Sequence, residues 1–104
     1  MHYCYILLSV KSHIFYYGST INVKARLEKH NSGKVTSTKP HMPWDLVWYA
    51  AFETKKQAED FERYLKSGSG KAFAYKRLVS EALGKDLKYR RTRSSIPERS
   101  AKDT

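Results

Sequence analysis

Two short segments near the N-terminus, residues 3–8 and 14–17, are rich in aromatic and β-branched residues and are separated by a mostly polar stretch. Such residues favour β-strands, and the polar stretch predicts a turn, so we expect a β-hairpin whose second strand is ended by Gly18 and Ser19. If the strand register places Tyr5 and Tyr16 on the same face, their side chains lie within reach of each other. The remaining elements are expected to pack around this hairpin.

A helix is predicted directly after the hairpin, over residues 23–30, with Asn22 or Thr20 as its N-cap and the sequence Asn-Ser-Gly as its stop. Arg26 and His30 are four residues apart and therefore point the same way, at the edge of the apolar face. This placement suits two groups that line a cleft whose floor is the hairpin.

A third strand is predicted over residues 44–52, because their sequence is almost continuously aromatic and apolar. That composition indicates a strand covered on both faces, and hence the central strand of a small sheet. Thr54 and Gln57 form a capping box, which predicts the start of a second helix. Glu62 lies at the margin of that helix's apolar stripe, where a carboxylate is costly to desolvate unless it is paired or bound to a metal ion.

Glycine and serine at positions 67–70 are expected to break the second helix, and residues 71–83 are predicted to form a third helix before Gly84. The globular domain is therefore assigned to residues 1–84. Residues 85–104 hold seven basic and three acidic residues and few apolar ones, so this tail is expected to be disordered. Its cations either add affinity for phosphates or are only solvated.

The chain is strongly basic, with 20 Lys and Arg against 10 Asp and Glu, a formal net charge of +10 and a pI near 9.8. This balance favours a polyanionic partner, above all nucleic acid. The single cysteine, Cys4, excludes an internal disulfide and is expected to be a buried small hydrophobe; with four scattered histidines it gives no zinc ligand set. The sequence shows neither an apolar run long enough to span a membrane nor a signal-peptide pattern, so the cytoplasm is the expected location.

The chain resembles the GIY-YIG nuclease superfamily, most closely its small stand-alone members. The residues that carry the resemblance lie in the two hairpin strands and in the first and second helices: Tyr3-Cys4-Tyr5, Tyr16-Tyr17-Gly18, Arg26, His30 and Glu62. The two triplets take the places of GIY and YIG, although three of their six residues differ from the literal motif. The resemblance covers roughly residues 3–83.

The resemblance implies an α/β (α+β) fold, with a small three-stranded antiparallel sheet flanked by helices in the order β-β-α-β-α-α. It also implies a metal-dependent endonuclease that hydrolyses DNA phosphodiester bonds and selects substrates by structure or strandedness rather than by sequence. Glu62 would hold one divalent ion, Mg²⁺ or Mn²⁺. Two alternatives stay open: a nucleic-acid-binding module with weak or no cleavage, and a ribonuclease.

The same resemblance implies a role for each residue of the site. Tyr5 would take the proton from the attacking water as a phenolate, and Tyr16 would hydrogen-bond the phosphate or that water. Arg26 would stabilise charge on the phosphoryl oxygens, and His30 would orient or activate the tyrosine. Which tyrosine is the base stays open. Because free tyrosine has a pKa of about 10, Arg26, His30 and the metal are expected to lower the pKa of Tyr5.

Contacts to a nucleic-acid backbone are expected from a glycine beside the site and from basic residues of a loop, the helices and the tail: Gly18, Lys34, Lys39, Lys66, Lys71, Arg90 and Arg91. The loop over residues 34–43 either makes such contacts or is only solvated. Several superfamily members also carry an asparagine after the metal-binding glutamate, which this chain lacks. Ser67, Ser69 or Lys71 would fill that role, or the role is unfilled.

Overall fold

The structure is a computed structural model that describes residues 1–79. Its elements in chain order are β1 (His2–Ser9), β2 (Phe15–Thr20), α1 (Val23–Asn31), a 3₁₀ turn (Lys39–His41), β3 (Trp44–Phe52), α2 (Lys55–Lys66), α3 (Gly68–Phe73) and a π-helical turn (Ala74–Leu78). This order, β-β-α-β-α-α, confirms the predicted fold class. Within residues 1–79, no helix has the length and apolar character that crossing a membrane requires.

The sheet is antiparallel, with strand order β2-β1-β3, so β1 is the central strand and the prediction that β3 is central was wrong. The burial of the strands shows the reason. Residues 3–9 of β1 are all buried, whereas β3 is buried only over its first four residues and is partly exposed beyond them. The aromatic sequence of β3 therefore reflects packing at one end of the strand rather than a central position.

The register of the hairpin brings the two predicted tyrosines to one face of the sheet. Tyr5 pairs with Gly18, and Leu7 pairs with Tyr16, so Tyr5 and Tyr16 are diagonal neighbours on β1 and β2. β2 runs on to Thr20, through Gly18 and Ser19, which were predicted to end it. Gly18 does not end the strand, because its backbone pairs with Tyr5 of β1 in the regular register. Its lack of a side chain leaves room for the ring of Tyr5.

The helices pack on opposite faces of the sheet. On one face, Tyr5 and Leu7 of β1 form a core cluster with Val23 and Leu27 of α1. On the other face, Cys4, Ile6 and Leu8 pack with residues from α2 and from the segment that follows it: Leu65, Ala74 and Val79. The alternation of side chains along β1 thus separates an α1 face from an α2 face.

Two helix starts agree with the sequence prediction. The side chain of Asn22 accepts a hydrogen bond from the backbone N–H of Ala25 at 3.1 Å, which makes Asn22 the N-cap of α1. At α2, the Thr54 hydroxyl accepts from the N–H of Gln57, and the Gln57 side chain accepts from the N–H of Thr54, both at 3.1 Å. The predicted capping box is therefore present.

The break after α2 is shorter than predicted, because α3 begins at Gly68 rather than at residue 71. The hydroxyl of Ser67 donates to the carbonyl of Tyr64 at 2.6 Å and accepts from the N–H of Gly70 at 3.1 Å, so Ser67 ends one helix and caps the next. A Cβ atom at Gly70 would overlap the backbone carbonyl of Tyr64. The glycine thus permits the close approach of the two helices.

Residues 80–104 lie outside the described part of the chain. The predicted end of the third helix at residue 83, the domain boundary at residue 84 and the basic tail over residues 85–104 all fall there, as do Arg90 and Arg91. Those assignments stay predictions.

Candidate active site

Tyr5 and His30 form a buried hydrogen-bonded pair between the central strand and the last turn of α1. Their Oη and Nε2 atoms are 3.0 Å apart, and the exposed fraction is 2% for Tyr5 and 0% for His30. The phenol ring of Tyr5 lies over Gly18, so that a Cβ atom at position 18 would be 2.5 Å from its hydroxyl. Gly18 therefore provides the space that the Tyr5 side chain occupies.

A second hydrogen bond fixes the protonation pattern of His30. Its Nδ1 atom lies 2.8 Å from the hydroxyl of Thr38, which is itself buried. We assign the one proton of that hydroxyl to the carbonyl of Val35, 3.3 Å away, so that the hydroxyl accepts from His30. Hence Nδ1 carries the imidazole proton, and the unprotonated Nε2 accepts from the hydroxyl of Tyr5. Tyr5 thus donates to His30, His30 donates to Thr38, and Thr38 donates to the carbonyl of Val35.

Tyr16 and Arg26 complete this group of side chains. The ring of Tyr16 lies edge-on to the imidazole of His30, with centroids 4.8 Å apart, and 6.3 Å from the ring of Tyr5. The guanidinium of Arg26 interacts with the hydroxyls of both tyrosines. Both Tyr16 and Arg26 are half-buried. The structure thus brings Tyr5, Tyr16, Arg26 and His30 together, and leaves Tyr16 and Arg26 on the side that solvent reaches.

The electrostatics of the site keep both partners of the buried pair neutral. Burial raises the pKa of Tyr5 well above its usual range, although the hydrogen bond from Arg26 opposes this and the negative charge of Glu62 adds to it. Burial and the positive charge of Arg26 lower the pKa of His30 to about 4. Without substrate and metal ion, the contact with Arg26 acts to lower the pKa of Tyr5 as predicted, but desolvation outweighs it. That Arg26, His30 and the metal ion together lower this pKa stays a prediction.

Arg26 is held in its charged form by the same contacts. Its pKa is raised, first by the hydrogen bond to Tyr5, while partial burial acts in the opposite direction. A guanidinium between two phenol oxygens presents the planar set of N–H donors that suits a phosphate group. This position fits the predicted role of charge stabilisation, which stays a prediction.

Glu62 acts on Tyr5 through its negative charge, and the described residues show no hydrogen bond between the two side chains. It belongs to α2, on the opposite face of the sheet from α1, and its Oε2 atom pairs with Nζ of Lys66 at 2.7 Å. Its negative charge raises the pKa of Tyr5 and also that of Cys4. Burial is the larger cause at Cys4, whose pKa rises to about 12, so this thiol is the buried small side chain that was predicted.

The residues present fit a divalent ion held by one carboxylate. Among residues 1–79 no three His, Cys, Asp or Glu side chains come together as a complete ligand set. Mg²⁺, however, is commonly bound through one or two carboxylates, with water and substrate phosphates as its other ligands. The Glu62 side chain is 20% exposed and already holds a cation, the ammonium of Lys66. Glu62 is thus an accessible oxygen donor of the right chemistry.

The residues predicted to contact nucleic acid differ in their surroundings. Lys34, Lys39 and Lys71 are exposed, and Lys66 is exposed but paired with Glu62. Gly18 is buried under the ring of Tyr5, which gives it a steric role beside the predicted contact. None of these contacts is tested by the geometry, and they stay predictions.

Of the three residues suggested to replace the missing asparagine, Ser67 has its hydroxyl engaged in capping α3. Ser69 and Lys71 are exposed on that helix. That one of the three residues takes the asparagine's role, or that the role is unfilled, stays a prediction.

The sequence prediction missed Thr38 and the second role of Asn31. The Asn31 side chain accepts from the N–H of Trp44 at 2.7 Å and donates to its carbonyl at 3.0 Å, while the Trp44 indole donates to the carbonyl of Thr38 at 2.9 Å. These bonds hold the loop against α1 and β3, with Thr38 facing His30. A threonine in a Thr-Ser-Thr sequence carries no signal of such a contact. A buried His30 requires a hydrogen-bond partner, but its burial is seen only in the structure, since the sequence placed it at the edge of the apolar face.

Comparison with known proteins gives concordant results. Residues 1–78 match the family of the GIY-YIG catalytic domain. A UPF0213 protein of Bacillus licheniformis is 38% identical over 71 residues, which are 67% of this chain and 72% of that protein. A UPF0213 protein of Staphylococcus haemolyticus is 39% identical over 69 residues, 65% of this chain and 83% of that protein.

A solved structure is also similar. The solution NMR structure of a UPF0213 protein from Bacillus halodurans has 34% sequence identity and a TM-score of 0.47, and the match covers 92% of this chain and 98% of that one. With the family match over residues 1–78 and the tyrosine, arginine and histidine group assembled around the hairpin, the conclusion is direct: this chain belongs to the GIY-YIG nuclease superfamily and, within it, to the UPF0213 proteins.

Proposed function

We propose that this protein is a divalent-metal-dependent endonuclease that hydrolyses phosphodiester bonds in DNA. The observation that carries the proposal is the buried hydrogen-bond chain from Tyr5 through His30 to Thr38, which lies beside the guanidinium of Arg26. Phosphodiester hydrolysis needs a group that accepts a proton from water and a cation beside the phosphate. Tyr5, which can pass its own proton to His30, and the guanidinium of Arg26 supply these two parts.

In this proposal Tyr5 is the base, and it acts without first becoming a free phenolate. Its oxygen takes a proton from the attacking water while its own proton moves along the hydrogen bond to Nε2 of His30. The imidazolium formed keeps its Nδ1–H bond to Thr38. The oxygen of Tyr5 thus exchanges one proton for another and does not stay ionised. The positive charge passes to His30, whose pKa is lowered by burial and by Arg26, so the negative charge of the bound phosphate has to offset the cost of the imidazolium.

Arg26 and Tyr16 are assigned to the phosphate. Both are half-buried and lie at the open side of the buried pair. The planar guanidinium would bind two phosphoryl oxygens and stabilise the charge that develops on them, while the Tyr16 hydroxyl would donate to the phosphate or hold the water. When phosphate binds Arg26, the guanidinium loses part of its interaction with the two phenols, which couples substrate binding to the state of Tyr5.

Glu62 is the proposed ligand of a Mg²⁺ or Mn²⁺ ion. When bound, the ion would supply positive charge to the phosphoryl oxygens and to the departing oxygen. The chain's own contribution is a carboxylate that must exchange the ammonium of Lys66 for the ion. The released Lys66 is then free to contact a phosphate, as predicted for it.

The substrate is proposed to be DNA selected by structure or strandedness, in the cytoplasm. The net charge of +10 supports contacts to the phosphate backbone of DNA. The match to a GIY-YIG catalytic domain over residues 1–78 supports a nucleic-acid substrate. A binding module with little cleavage and a ribonuclease are the two alternatives. They differ from the proposal in the products that they yield.

The test is cleavage of end-labelled single-stranded, duplex and flapped DNA, with an RNA control, in Mg²⁺, Mn²⁺ or chelator. Wild type is compared with Glu62→Gln and with Glu59→Gln, a matched change one turn earlier at a glutamate that pairs with Lys55. We expect metal-dependent DNA products from wild type and Glu59→Gln, and loss of cleavage with retained binding in Glu62→Gln. Full cleavage by Glu62→Gln would refute the metal assignment. Binding without products would favour the binding module, and products from RNA alone would favour the ribonuclease.

A further inference from the structure

Two exposed aromatic rings meet where α2 joins α3, on the face of the sheet opposite the Tyr5–His30 pair. Tyr64 is 41% exposed and Phe73 is 40% exposed, and their ring centroids are 6.2 Å apart. We refer to these two residues as the aromatic surface. The proposed chemistry uses neither of them, and their contact makes one contiguous apolar patch, which is the kind of exposed surface that a ligand covers.

The aromatic surface has a rigid support. The ring of Tyr64 packs on Phe61 at 5.8 Å between centroids. Phe61 in turn packs on Trp48 at 5.8 Å and on Phe52 at 5.7 Å. Because these three supporting rings are only partly exposed members of the core on the α2 face, the exposed rings are held in place and lose little freedom when a ligand binds.

The two chain segments that carry the aromatic surface, residues 55–66 and 68–79, together hold seven basic and three acidic residues. Residues 68–79 include Lys71, Lys76 and Arg77 and contain no aspartate or glutamate. The acidic residues of α2 are all engaged with basic residues of the same helix, in the pairs Lys55–Glu59, Lys56–Asp60, Arg63–Asp60 and Lys66–Glu62. A ligand approaching Tyr64 and Phe73 therefore meets net positive charge.

We propose that the aromatic surface stacks unpaired bases of a nucleic-acid strand, while Lys71 and Arg77 contact its phosphates. Aromatic rings interleaved with basic residues are the usual means of binding single strands without reading sequence. This inference rests on the proposed function for the identity of the partner. Tyr64 lies two residues after Glu62 on α2, about 3 Å further along the helix axis and on a different side of the helix, so the aromatic surface is separate from the proposed metal ligand.

A second copy of the chain is a poorer occupant of the same surface. In a two-fold symmetric dimer each surface would face its own copy, so the basic residues around Tyr64 and Phe73 would approach like charges. A polyanion with flat aromatic groups satisfies both the rings and the cations. Unpaired nucleotides have both properties, whereas duplex DNA hides its bases.

The test measures binding in the presence of chelator, so that its outcome does not depend on cleavage. The probes are a fluorescent thymidine oligonucleotide and an abasic oligonucleotide of the same length and charge, with a duplex as the third ligand. For wild type we expect at least about tenfold weaker binding of the abasic strand. This comparison needs no substitution. Equal affinity for the two strands would overturn the proposal, since phosphate contacts alone would then explain binding.

The variants locate the stacking on the protein. Tyr64→Ala and Phe73→Ala are each expected to weaken binding of the thymidine strand about tenfold and to leave the abasic strand unaffected. Phe73→Tyr keeps a ring and is expected to keep the affinity. Ile14→Ala, at an apolar residue exposed to a similar degree elsewhere, is the control for general loss of apolar surface.

The outcomes separate this inference from the proposed function. Folded alanine variants that bind both strands like wild type, or that change only the oligomeric state in sedimentation, would refute stacking at this surface. Loss of discrimination in the alanine variants together with its retention in Phe73→Tyr would support it, even if no cleavage were found. Conversely, cleavage that depends on Glu62 would stand even if stacking failed.

Discussion

The hydroxyl of Tyr5 donates a hydrogen bond of 3.0 Å to Nε2 of His30, across 25 residues of sequence and from a strand to a helix. Both groups are buried, and each is the partner that the other needs in order to be buried without cost. The same bond lies on the proposed path of the proton taken from water. The stability of the fold and the proposed chemistry therefore both depend on this hydrogen bond, so the same substitutions test both.

The first prediction concerns stability and pH. His30 has a folded-state pKa of about 4, against 6.5 for an exposed histidine, because of burial and the charge of Arg26. Between these values the unfolded chain binds more protons, so stability is greatest above pH 6.5 and falls as the pH drops towards 4. The expected contribution of His30 is a loss of about 3 kcal/mol over this window.

Denaturant unfolding at a series of pH values measures this loss. His30→Gln serves as the comparison, since it cannot take up the proton and should lose less stability over the same window. An identical decline in wild type and His30→Gln between pH 6.5 and 4 would show that other groups cause it.

The second prediction concerns Thr38. Thr38→Val removes the acceptor of the His30 Nδ1–H and leaves a buried donor unpaired, so we expect a loss of about 1–3 kcal/mol in the free energy of unfolding. The imidazole should also lose its single tautomer, which nitrogen NMR of the ring would detect. Thr38→Ser should restore both properties because it keeps the hydroxyl. An unchanged Nδ1–H tautomer in Thr38→Val would contradict the assignment of this chain of hydrogen bonds.

The third prediction concerns Gly18. A methyl group there would lie 2.5 Å from the Tyr5 hydroxyl, so Gly18→Ala must push the phenol away from His30. We expect a destabilisation of about 1–3 kcal/mol from overpacking, together with a large loss of cleavage. Gly68→Ala is the matched control, because a Cβ atom at position 68 has nothing within 4 Å. Gly18→Ala with the stability and rate of the Gly68→Ala control would contradict the steric account.

The sequence predicted those parts of the fold that depend on local patterns. Asn22 and the Thr54–Gln57 capping box mark helix starts by residue type and spacing alone, and both are found in the structure. The order of strands depends on long-range pairing, and composition favoured β3 as the central strand although β1 occupies that position. The start of α3 at Gly68 was missed for a related reason, since the packing of Gly70 against Tyr64 outweighs the low helix propensity of glycine.

The same difference between local sequence patterns and long-range packing applies to the candidate site. Tyr5, Tyr16, Arg26 and His30 lie on elements whose residue spacing and strand register bring them together, and the sequence grouped them correctly. Thr38 could not be found, because its position depends on how an irregular loop folds back on α1. The raised pKa of Tyr5 in the absence of substrate and metal ion could not be predicted either, since the balance of burial against the charge of Arg26 depends on packing that no spacing reveals.

The most direct measurement is the rate of DNA cleavage in Mg²⁺ by wild type, Tyr5→Phe and Tyr17→Phe. Tyr5→Phe removes one oxygen atom from the proposed proton path, whereas Tyr17→Phe makes the same change on a strand neighbour that packs on the α2 face. We predict that Tyr5→Phe slows cleavage by about 10²–10⁴-fold while DNA binding is retained, and that Tyr17→Phe cleaves like wild type. Cleavage by Tyr5→Phe at the rate of Tyr17→Phe would contradict the proposal that this hydroxyl takes the proton from water.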